Sequence, residues 1–260
     1  MAAMSSERIA LVRPVVDVLA DGLVTHLERT PVDVGLARRQ HAGYREALAS
    51  AGWAVHEVPP APGHPDSVFV EDTVVVVDDL AVLTLPGAPE RRGEVDAVEG
   101  VVRDLGLRVE RLEPPATLEG GDVLQVGNVV YVGRGGRTNA VGIRRLRELV
   151  QPLGRVVVPV ELGRVLHLKS AVTALPDGTL IGWDGLLDPA PLPTWRSAPE
   201  EPGSHVVPLG GSTVLMATSA PRTADWLTDL GFDVVAVDIS EFERLEGCVT
   251  CLSVLVPGAA

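Results

Sequence analysis

The apolar residues of the chain recur in a repeated order: an amphipathic stretch, a glycine, then a short segment with alternating apolar residues. Four glycines end such stretches, namely Gly52, Gly106, Gly154 and Gly231. Glycine is the usual residue where a helix ends in the left-handed conformation, and a period of two is typical of a half-buried strand. Each copy therefore predicts a helix followed by a strand.

Two more short strands are predicted after each of the first three copies. They lie at 73–77 and 81–84, at 123–126 and 129–132, and at 171–174 and 180–183. A weaker copy surrounds Gly203, and Gly231 follows it after an unusually short interval. A period of roughly 50 residues with one helix and several strands favours radial or stacked repetition over a doubly wound sheet. The short last interval predicts that one hairpin is trimmed.

Composition sets the broad class. With 260 residues, 46% of them hydrophobic and 22% charged, the chain is typical of a globular protein, and we predict one domain over residues 1–260. The net charge of −13 argues against a nucleic-acid partner and is compatible with a small cationic substrate.

The apolar runs, the first eight residues and the cysteines of the chain also predict its location. No apolar run reaches the roughly 18–20 residues that span a bilayer, and the first eight residues lack the pattern of a signal peptide. The two cysteines do not form a disulfide framework. We therefore expect a cytoplasmic protein without a membrane partner.

Candidate catalytic groups occupy the same part of successive modules. Asp72, Glu119, His167 and Cys251 each lie between the post-glycine strand and the following strands. If the modules surround an axis, these side chains converge. A thiol, an imidazole and a carboxylate that meet in space form a set suited to covalent catalysis.

Spacing alone leaves other interpretations open. Cys251 can be a small buried apolar residue, and with Cys248 it forms a C-x-x-C motif that leads into a strand and does not open a helix, as a thioredoxin-type motif should. His167 can be a core histidine. Glu119 precedes two glycines that can serve simply as a turn, as can Asp122 after them.

Charged residues near the first and second modules suggest binding groups for the two ends of a substrate. Acidic residues Asp66, Glu71 and Asp72 flank a Val-Phe-Val segment, and they are either exposed strand ends or partners of a cation. Arg91 and Arg137 precede helical stretches, where positive charge gains nothing from the helix dipole. Anion recognition explains that placement, although surface arginines are common.

Six motifs in this order resemble the dimethylarginine dimethylaminohydrolase family of the guanidino-group-modifying superfamily. They are residues 65–72 (PDSVFVED), 86–94 (PGAPERRGE), 118–122 (LEGGD), 137–140 (RTNA), 167–169 (HLK) and 247–251 (GCVTC). The resemblance implies a five-bladed α/β propeller of ββαβ modules, the pentein fold. It implies hydrolysis of Nω-methylated arginine to citrulline and a methylamine through a covalent cysteine thiouronium, with no metal or organic cofactor.

The resemblance also implies residue roles. Cys251 is then the nucleophile, His167 the general acid and base, and Glu119 and Asp72 the guanidinium ligands, with Glu71 nearby. Arg91 and Arg137 hold the substrate α-carboxylate, and Asp66 with the Leu23 backbone lies near the α-amine. No role follows for Cys248 or for Lys169, the only lysine.

Alternatives are another guanidino-modifying hydrolase, such as an arginine deiminase-like enzyme, and a non-catalytic binding propeller of the same fold. Arginine deiminases are longer, with an inserted helical domain that does not fit here. The trimmed module leaves the hairpin of that blade, and a homodimer formed through its edge, undetermined.

Overall fold

The computed structural model describes residues 7–258, so the ends of the predicted domain, residues 1–6 and 259–260, lie outside the described range, as does most of the segment inspected for a signal peptide. The described residues form five three-stranded sheets. The strands are β1 (Ile9–Val12), β2 (Ala54–Glu57), β3 (Val74–Val77), β4 (Leu80–Leu83), β5 (Arg108–Arg111), β6 (Val123–Val126), β7 (Val129–Arg134), β8 (Val156–Glu161), β9 (Val172–Ala174), β10 (Leu180–Gly182), β11 (Trp195–Ser197), β12 (Val206–Gly210), β13 (Thr213–Ala217), β14 (Asp233–Val237) and β15 (Val254–Val256). The helices are α1 (Val34–Ser50), α2 (Asp96–Asp104), α3 (Ala140–Val150), α4 (Pro221–Asp229) and the short α5 (Ser240–Glu243). None of these helices is long and apolar enough to cross a membrane.

Every sheet has the same topology and forms one blade. In the first blade, β3 and β4 make an antiparallel hairpin, α2 crosses over, and β5 returns parallel to β4. The second, third and fourth blades repeat this strand order with β6–β8, β9–β11 and β12–β14. The last blade, which we call the closing blade, pairs β15 with β1 and β2 and so joins the two ends of the chain. This arrangement confirms the predicted five-bladed α/β propeller.

The hydrophobic core consists of five clusters, each between two neighbouring blades. On β3, Val74 and Val76 face the cluster shared with the closing blade, whereas Val75 and Val77 face the cluster shared with the second blade. Because both faces of such a strand are buried, it reads as a continuous apolar run and not as an alternation. The radial arrangement leaves the polar ends of the blades free to meet near the axis.

Four predicted helix ends are confirmed, and the prediction for the weaker copy around Gly203 is wrong. Gly52, Gly106, Gly154 and Gly231 all have φ between 76° and 91°. Around Gly203, however, the following strand β12 is the first strand of a complete hairpin with β13, so no hairpin is trimmed.

What the fold lacks is the helix of the third blade. Residues 183–194 connect β10 to β11 through turns. This segment contains Pro189, Pro191 and Pro193. Prolines at alternate positions remove backbone donors and clash with the preceding turn of a helix, so no helix can form. The missing helix shortens the third module, whereas the short interval from Gly203 to Gly231 arises because Gly203 lies in the turn before β12 and not at a helix end.

A short 3-10 turn precedes the first strand of every blade. These five segments, the pre-strand turns, are Val70–Thr73, Gly120–Asp122, Leu168–Ser170, Glu201–Ser204 and Val249–Leu252. The turns of the closing, first, second and third blades pack against one another in sequence. They are the part of the fold that positions the candidate site.

Candidate active site

The four residues predicted to converge lie in the pre-strand turns or directly before them. Asp72 is inside the turn of the first blade, Glu119 and His167 immediately precede those of the second and third, and Cys251 is inside that of the closing blade. Gly120 lets these turns approach, because a Cβ there would lie 1.9 Å from the Glu71 carbonyl oxygen. The packing of the site therefore requires a glycine in the Glu-Gly-Gly-Asp turn.

His167 and Glu119 form the central pair. His167 Nε2 lies 2.6 Å from Glu119 Oε2, and both side chains are buried. Asp72 Oδ1 lies 3.8 Å from the same nitrogen. Burial alone would lower the pKa of His167, but Asp72, Glu119 and Asp122 outweigh it and raise the pKa to about 10. The imidazole is therefore protonated at neutral pH in this arrangement.

Glu119 is the matching anion. Burial alone would raise its pKa, but the hydrogen bond and charge of His167, together with Arg91 and Arg137, hold the pKa of Glu119 well below its usual range. Arg137 Nη1 lies 3.2 Å from Glu119 Oε2. Glu119 therefore carries a negative charge that two cations of the protein already share.

Asp72 is bound on both oxygens. Its Oδ1 accepts from the backbone N–H of Gly121 at 2.9 Å, and its Oδ2 accepts from Arg91 Nη1 at 2.6 Å. Arg91 also donates to Glu94 through Nε and Nη2, and Nη2 bonds two backbone carbonyl oxygens. Of the five guanidinium N–H groups, one on Nη1 is left over. Arg91 is thus buried and held chiefly by the protein.

The predicted pairing of Asp66 with the Leu23 backbone is present. Both carboxylate oxygens of Asp66 lie 3.1 Å from the Leu23 nitrogen. Burial raises the pKa of Asp66, and the charge of Arg91 and the Leu23 hydrogen bond oppose that rise. Asp66, Glu71 and Asp72 are all buried, so the interpretation of these acids as exposed strand ends is wrong.

Cys251 lies in a 3-10 turn ahead of β15 and not at the start of a strand. Its Sγ is 3.3 Å from Cys248 Sγ. The hydrogen bond to the Cys248 sulfur, burial and the charges of Glu71 and Asp72 raise the pKa of the Cys251 thiol well above its ordinary value. Among these groups the carboxylates disfavour an anion at Cys251, so this thiol keeps its proton in the free protein.

Glu71 points away from Asp72 into a separate buried network. Its Oε1 accepts from Lys169 Nζ at 2.5 Å and its Oε2 accepts from the Thr250 hydroxyl at 3.0 Å. Burial raises the pKa of Glu71 to about 7, and Lys169 opposes the rise. Lys169 therefore supplies the positive charge for a carboxylate next to the turn that contains Cys251.

These groups enclose one small cavity. Its lining includes Leu23, Asp66, Asp72, Arg91, Arg137, His167 and Cys251, and its volume is about 20 Å³. That volume holds about one water molecule. Glu119 contacts the lining residues His167 and Arg137 from behind, whereas Glu71 lies on another cavity. An amino acid can enter only if part of the lining moves.

Two further residues support the site and were not singled out from the sequence as functional. Asp122, given only a turn role above, accepts from the Leu168 backbone N–H at 2.9 Å and from the Thr138 hydroxyl at 2.5 Å, and so fixes the residue after His167. Glu246 accepts backbone N–H groups of Thr25, His26 and Leu27 through Oε1. The only local signal for Glu246 was its position just before the Gly-Cys pair.

A metal ion is the other ligand that this geometry could suggest. Asp72, Glu119 and His167 place one ligand atom each within 4.8 Å of one another. In the described arrangement, however, Arg91 and Arg137 already neutralise the two carboxylates. A guanidinium, which donates hydrogen bonds to carboxylates as these arginines do, is a ligand class that fits this cluster once it replaces one of them.

Comparison with known proteins gives close relatives, although no sequence profile of a protein family matches the chain. The chain is 58% identical to an N(G),N(G)-dimethylarginine dimethylaminohydrolase of Streptomyces coelicolor, over 94% of this chain and 95% of the relative.

Two solved structures share the fold. One is a dimethylarginine dimethylaminohydrolase with a histidine-to-glycine substitution, as an adduct with S-methyl-L-thiocitrulline, with a TM-score of 0.90 and 32% identity, covering 97% of this chain and 100% of that chain. Another is the Pseudomonas aeruginosa enzyme, a cysteine-to-serine variant complexed with citrulline, with a TM-score of 0.88 and 32% identity, covering 98% of this chain and 100% of that chain. From the identity and the coverage, together with the shared propeller, the chain belongs to the dimethylarginine dimethylaminohydrolase family.

Proposed function

We propose that the protein hydrolyses Nω-methylated arginine to citrulline and a methylamine, with Cys251 as nucleophile. The observation that carries the proposal is that one cavity brings together the Cys251 thiol, the His167 imidazolium and the Asp72 carboxylate, with Glu119 behind the imidazolium. The family relationship supports the same reaction, since the Streptomyces coelicolor relative bears that enzyme name.

The first step forms a covalent intermediate. A guanidinium bound next to Asp72 and Glu119 brings positive charge close to Cys251, which lowers the cost of ionising the thiol. The Cys251 thiol passes its proton to solvent water, since His167 is already protonated, and the resulting thiolate attacks the guanidinium carbon. The imidazolium of His167 donates its proton to the departing dimethylamine as the C–N bond breaks, leaving an S-alkylthiouronium on Cys251.

The second step releases the product. Neutral His167 now accepts a proton from a water molecule, which attacks the thiouronium carbon. The hydroxyl proton of the resulting tetrahedral intermediate passes to the Cys251 sulfur as that sulfur leaves, and citrulline forms. Every proton transfer is assigned to a side chain or to water, so the proposed reaction includes no metal or organic cofactor.

The ion pairs of the empty site suggest how the two ends of the substrate are recognised together. Arg137 holds Glu119, and Arg91 holds Asp72. We propose that the α-carboxylate of the substrate draws Arg137 away and so frees Glu119 for the guanidinium. Arg91 contributes its remaining Nη1 proton and keeps Asp72 in place, while Asp66 and the Leu23 backbone receive the α-amine.

We also propose a reducing, cytoplasmic setting. Both cysteines are free thiols, and one of them is the proposed nucleophile. The proposed binding partner is the substrate, a small cationic amino acid, which the net negative charge of the protein attracts.

The decisive experiment offers the purified protein dimethylarginine, monomethylarginine, arginine and agmatine in parallel and measures citrulline and amine release. The proposal predicts turnover of the methylated arginines with release of the matching methylamine. Preferential release of ammonia from arginine would instead favour an arginine deiminase-like activity. Absence of turnover with all four compounds would favour a binding propeller.

A further inference from the structure

The role of Cys248 is the main question that the proposed mechanism leaves open, and the geometry around it is specific. Cys248 and Cys251 are both buried free thiols, and their Sγ atoms lie 3.3 Å apart. A buried residue with a merely apolar role does not need a second sulfur at this distance. The contact therefore requires a chemical explanation as well as a packing one.

The backbone between the two cysteines already has the span of a disulfide. The N–H of Cys251 donates to the carbonyl oxygen of Cys248 at 3.1 Å, which closes a one-turn loop. A turn closed in this way brings its end Cα atoms within about 7 Å. Disulfides bridge Cα atoms about 4.4–6.8 Å apart. A bond between these sulfurs is thus compatible with the turn without a rearrangement of the closing blade.

The two thiols differ in reactivity and in access. Cys248 donates or accepts hydrogen bonds with Cys251 and Thr250, and the Cys251 hydrogen bond, with His205 and Thr250, holds the pKa of Cys248 well below its ordinary value despite burial. Cys248 lines a second cavity of about 340 Å³, which adjoins the small cavity lined by Cys251 and shares Leu166, Glu246 and Gly247 with it. A small oxidant can therefore approach the pair through this larger cavity.

We propose that Cys248 is the thiol that reacts first with peroxide and Cys251 its resolving partner, and that the two form a reversible oxidation site at which hydrogen peroxide switches the enzyme off. The thiolate of Cys248 attacks peroxide and becomes a sulfenic acid as hydroxide leaves. The Cys251 thiol then attacks that sulfur, a disulfide forms and water leaves. Two electrons pass from the two sulfurs to one peroxide, and a small dithiol reverses the reaction.

The consequence for the enzyme is protection. A lone nucleophilic cysteine that meets peroxide proceeds to sulfinic and sulfonic acids, which thiols do not reduce. With a second sulfur 3.3 Å away, the first oxidation product is captured as a disulfide before further oxygen is added. The loss of activity through Cys251 rests on the proposed function, whereas the disulfide itself does not.

The test compares the wild-type protein with Cys248→Ser and Cys248→Ala after the same peroxide treatment. Intact mass and peptide mapping identify the oxidised species, and turnover is measured before and after a dithiol. Circular dichroism confirms that each variant is folded, and two different replacements guard against one that fails to fold.

We expect the wild-type protein to lose two hydrogen atoms, to lose turnover and to regain most of it with the dithiol. Both variants lack the thiol that reacts first, so they should form no internal disulfide, lose turnover more slowly, and regain little of the turnover lost to oxygen added at Cys251. Wild-type protein that adds oxygen at Cys251 as fast as the variants, without an internal disulfide, would overturn the oxidation site and leave the proposed function intact. A disulfide that forms without loss of turnover would overturn Cys251 as nucleophile and with it the switch.

Discussion

His167 and Cys251 line the same cavity, and nearby carboxylates raise the pKa of both, which leaves one charged and the other neutral. Asp72, Glu119 and Asp122 stabilise the imidazolium and raise the pKa of His167 to about 10. Around Cys251, the hydrogen bond to Cys248, burial and the charges of Glu71 and Asp72 raise the pKa of the thiol. The negative charge that keeps His167, the proposed acid, protonated therefore also keeps Cys251, the proposed nucleophile, protonated.

This difference explains why the substrate should be cationic. A guanidinium placed between Asp72 and Glu119 cancels the field at Cys251 but leaves His167 paired behind it. Without a bound cation Cys251 is a neutral thiol of low reactivity, and we propose that this nucleophile is activated only when a cation binds. The following predictions test the proposed nucleophile Cys251 and the proposed acid His167 in turn, from the largest expected effect to the smallest.

The nucleophile side gives the largest effect. Cys251→Ser should lower kcat by several orders of magnitude, because a serine hydroxyl lacks both the nucleophilicity and the acidity of a thiol. Cys248→Ser, its matched control in the same turn, should keep most of the wild-type rate. Citrulline release is the measurement. An equal loss in both variants would mean that the pair acts together in the reaction.

On the acid side, His167→Gln should lower kcat roughly 10²–10⁴-fold, the usual range for acid–base catalysis. The glutamine retains a hydrogen bond toward Glu119 but supplies no proton to the amine. His56→Gln is the control, since His56 is exposed on β2. A His167→Gln variant with the wild-type rate at neutral pH would contradict the acid role.

The substrate α-carboxylate tests whether the two ends of the site are coupled. Because one hydrogen bond to a charged group is worth about 1.5–3 kcal/mol, Arg137→Ala should raise KM roughly ten- to a hundredfold. Agmatine, which lacks the carboxylate, should have a low kcat/KM with the wild-type protein. Arg134→Ala is a control, because exposed Arg134 pairs with Glu161. An unchanged KM for Arg137→Ala, or efficient agmatine hydrolysis, would remove this contact from the account.

The pH dependence of the melting temperature gives the smallest expected effect. The pKa of His167 in the folded protein, about 10, lies above its ordinary value of 6.5, so the folded state binds the extra proton between these values. The resulting stabilisation is complete below about pH 6.5 and is lost as the pH rises toward 10. Thermal unfolding should therefore show a melting temperature that falls over this range, and His167→Gln should flatten that fall. A slope unchanged by the substitution would contradict the raised pKa.

The sequence predicted the propeller well because the repeat depends on local signals. Glycine at a helix end and apolar strands are set by neighbouring residues, and Gly52, Gly106, Gly154 and Gly231 are all in the left-handed conformation. The error at Gly203 has the same origin. Its turn precedes a strand as the other glycines do, and only the pairing of β12 with β13 shows that this strand starts a hairpin.

The site was predictable in membership but not in its pairings. Motifs placed Glu119, His167 and Cys251 in equivalent segments, and convergence about an axis followed. That Arg137 pairs with Glu119 depends on how two loops of the second blade fold against each other. That Lys169 neutralises Glu71 depends on a contact between two blades. The contact between the Cys248 and Cys251 sulfurs required the turn geometry in the same way.

The most direct test of the central claim is to trap the covalent intermediate. His167→Gly retains the thiol but loses the group proposed to activate water, so an adduct with S-methyl-L-thiocitrulline should accumulate. Mass spectrometry with fragmentation of the peptide that contains residues 248 and 251 locates the added mass. The account predicts one adduct on Cys251 and none on Cys248. An adduct on Cys248, or no adduct in a folded variant that binds the compound, would contradict it.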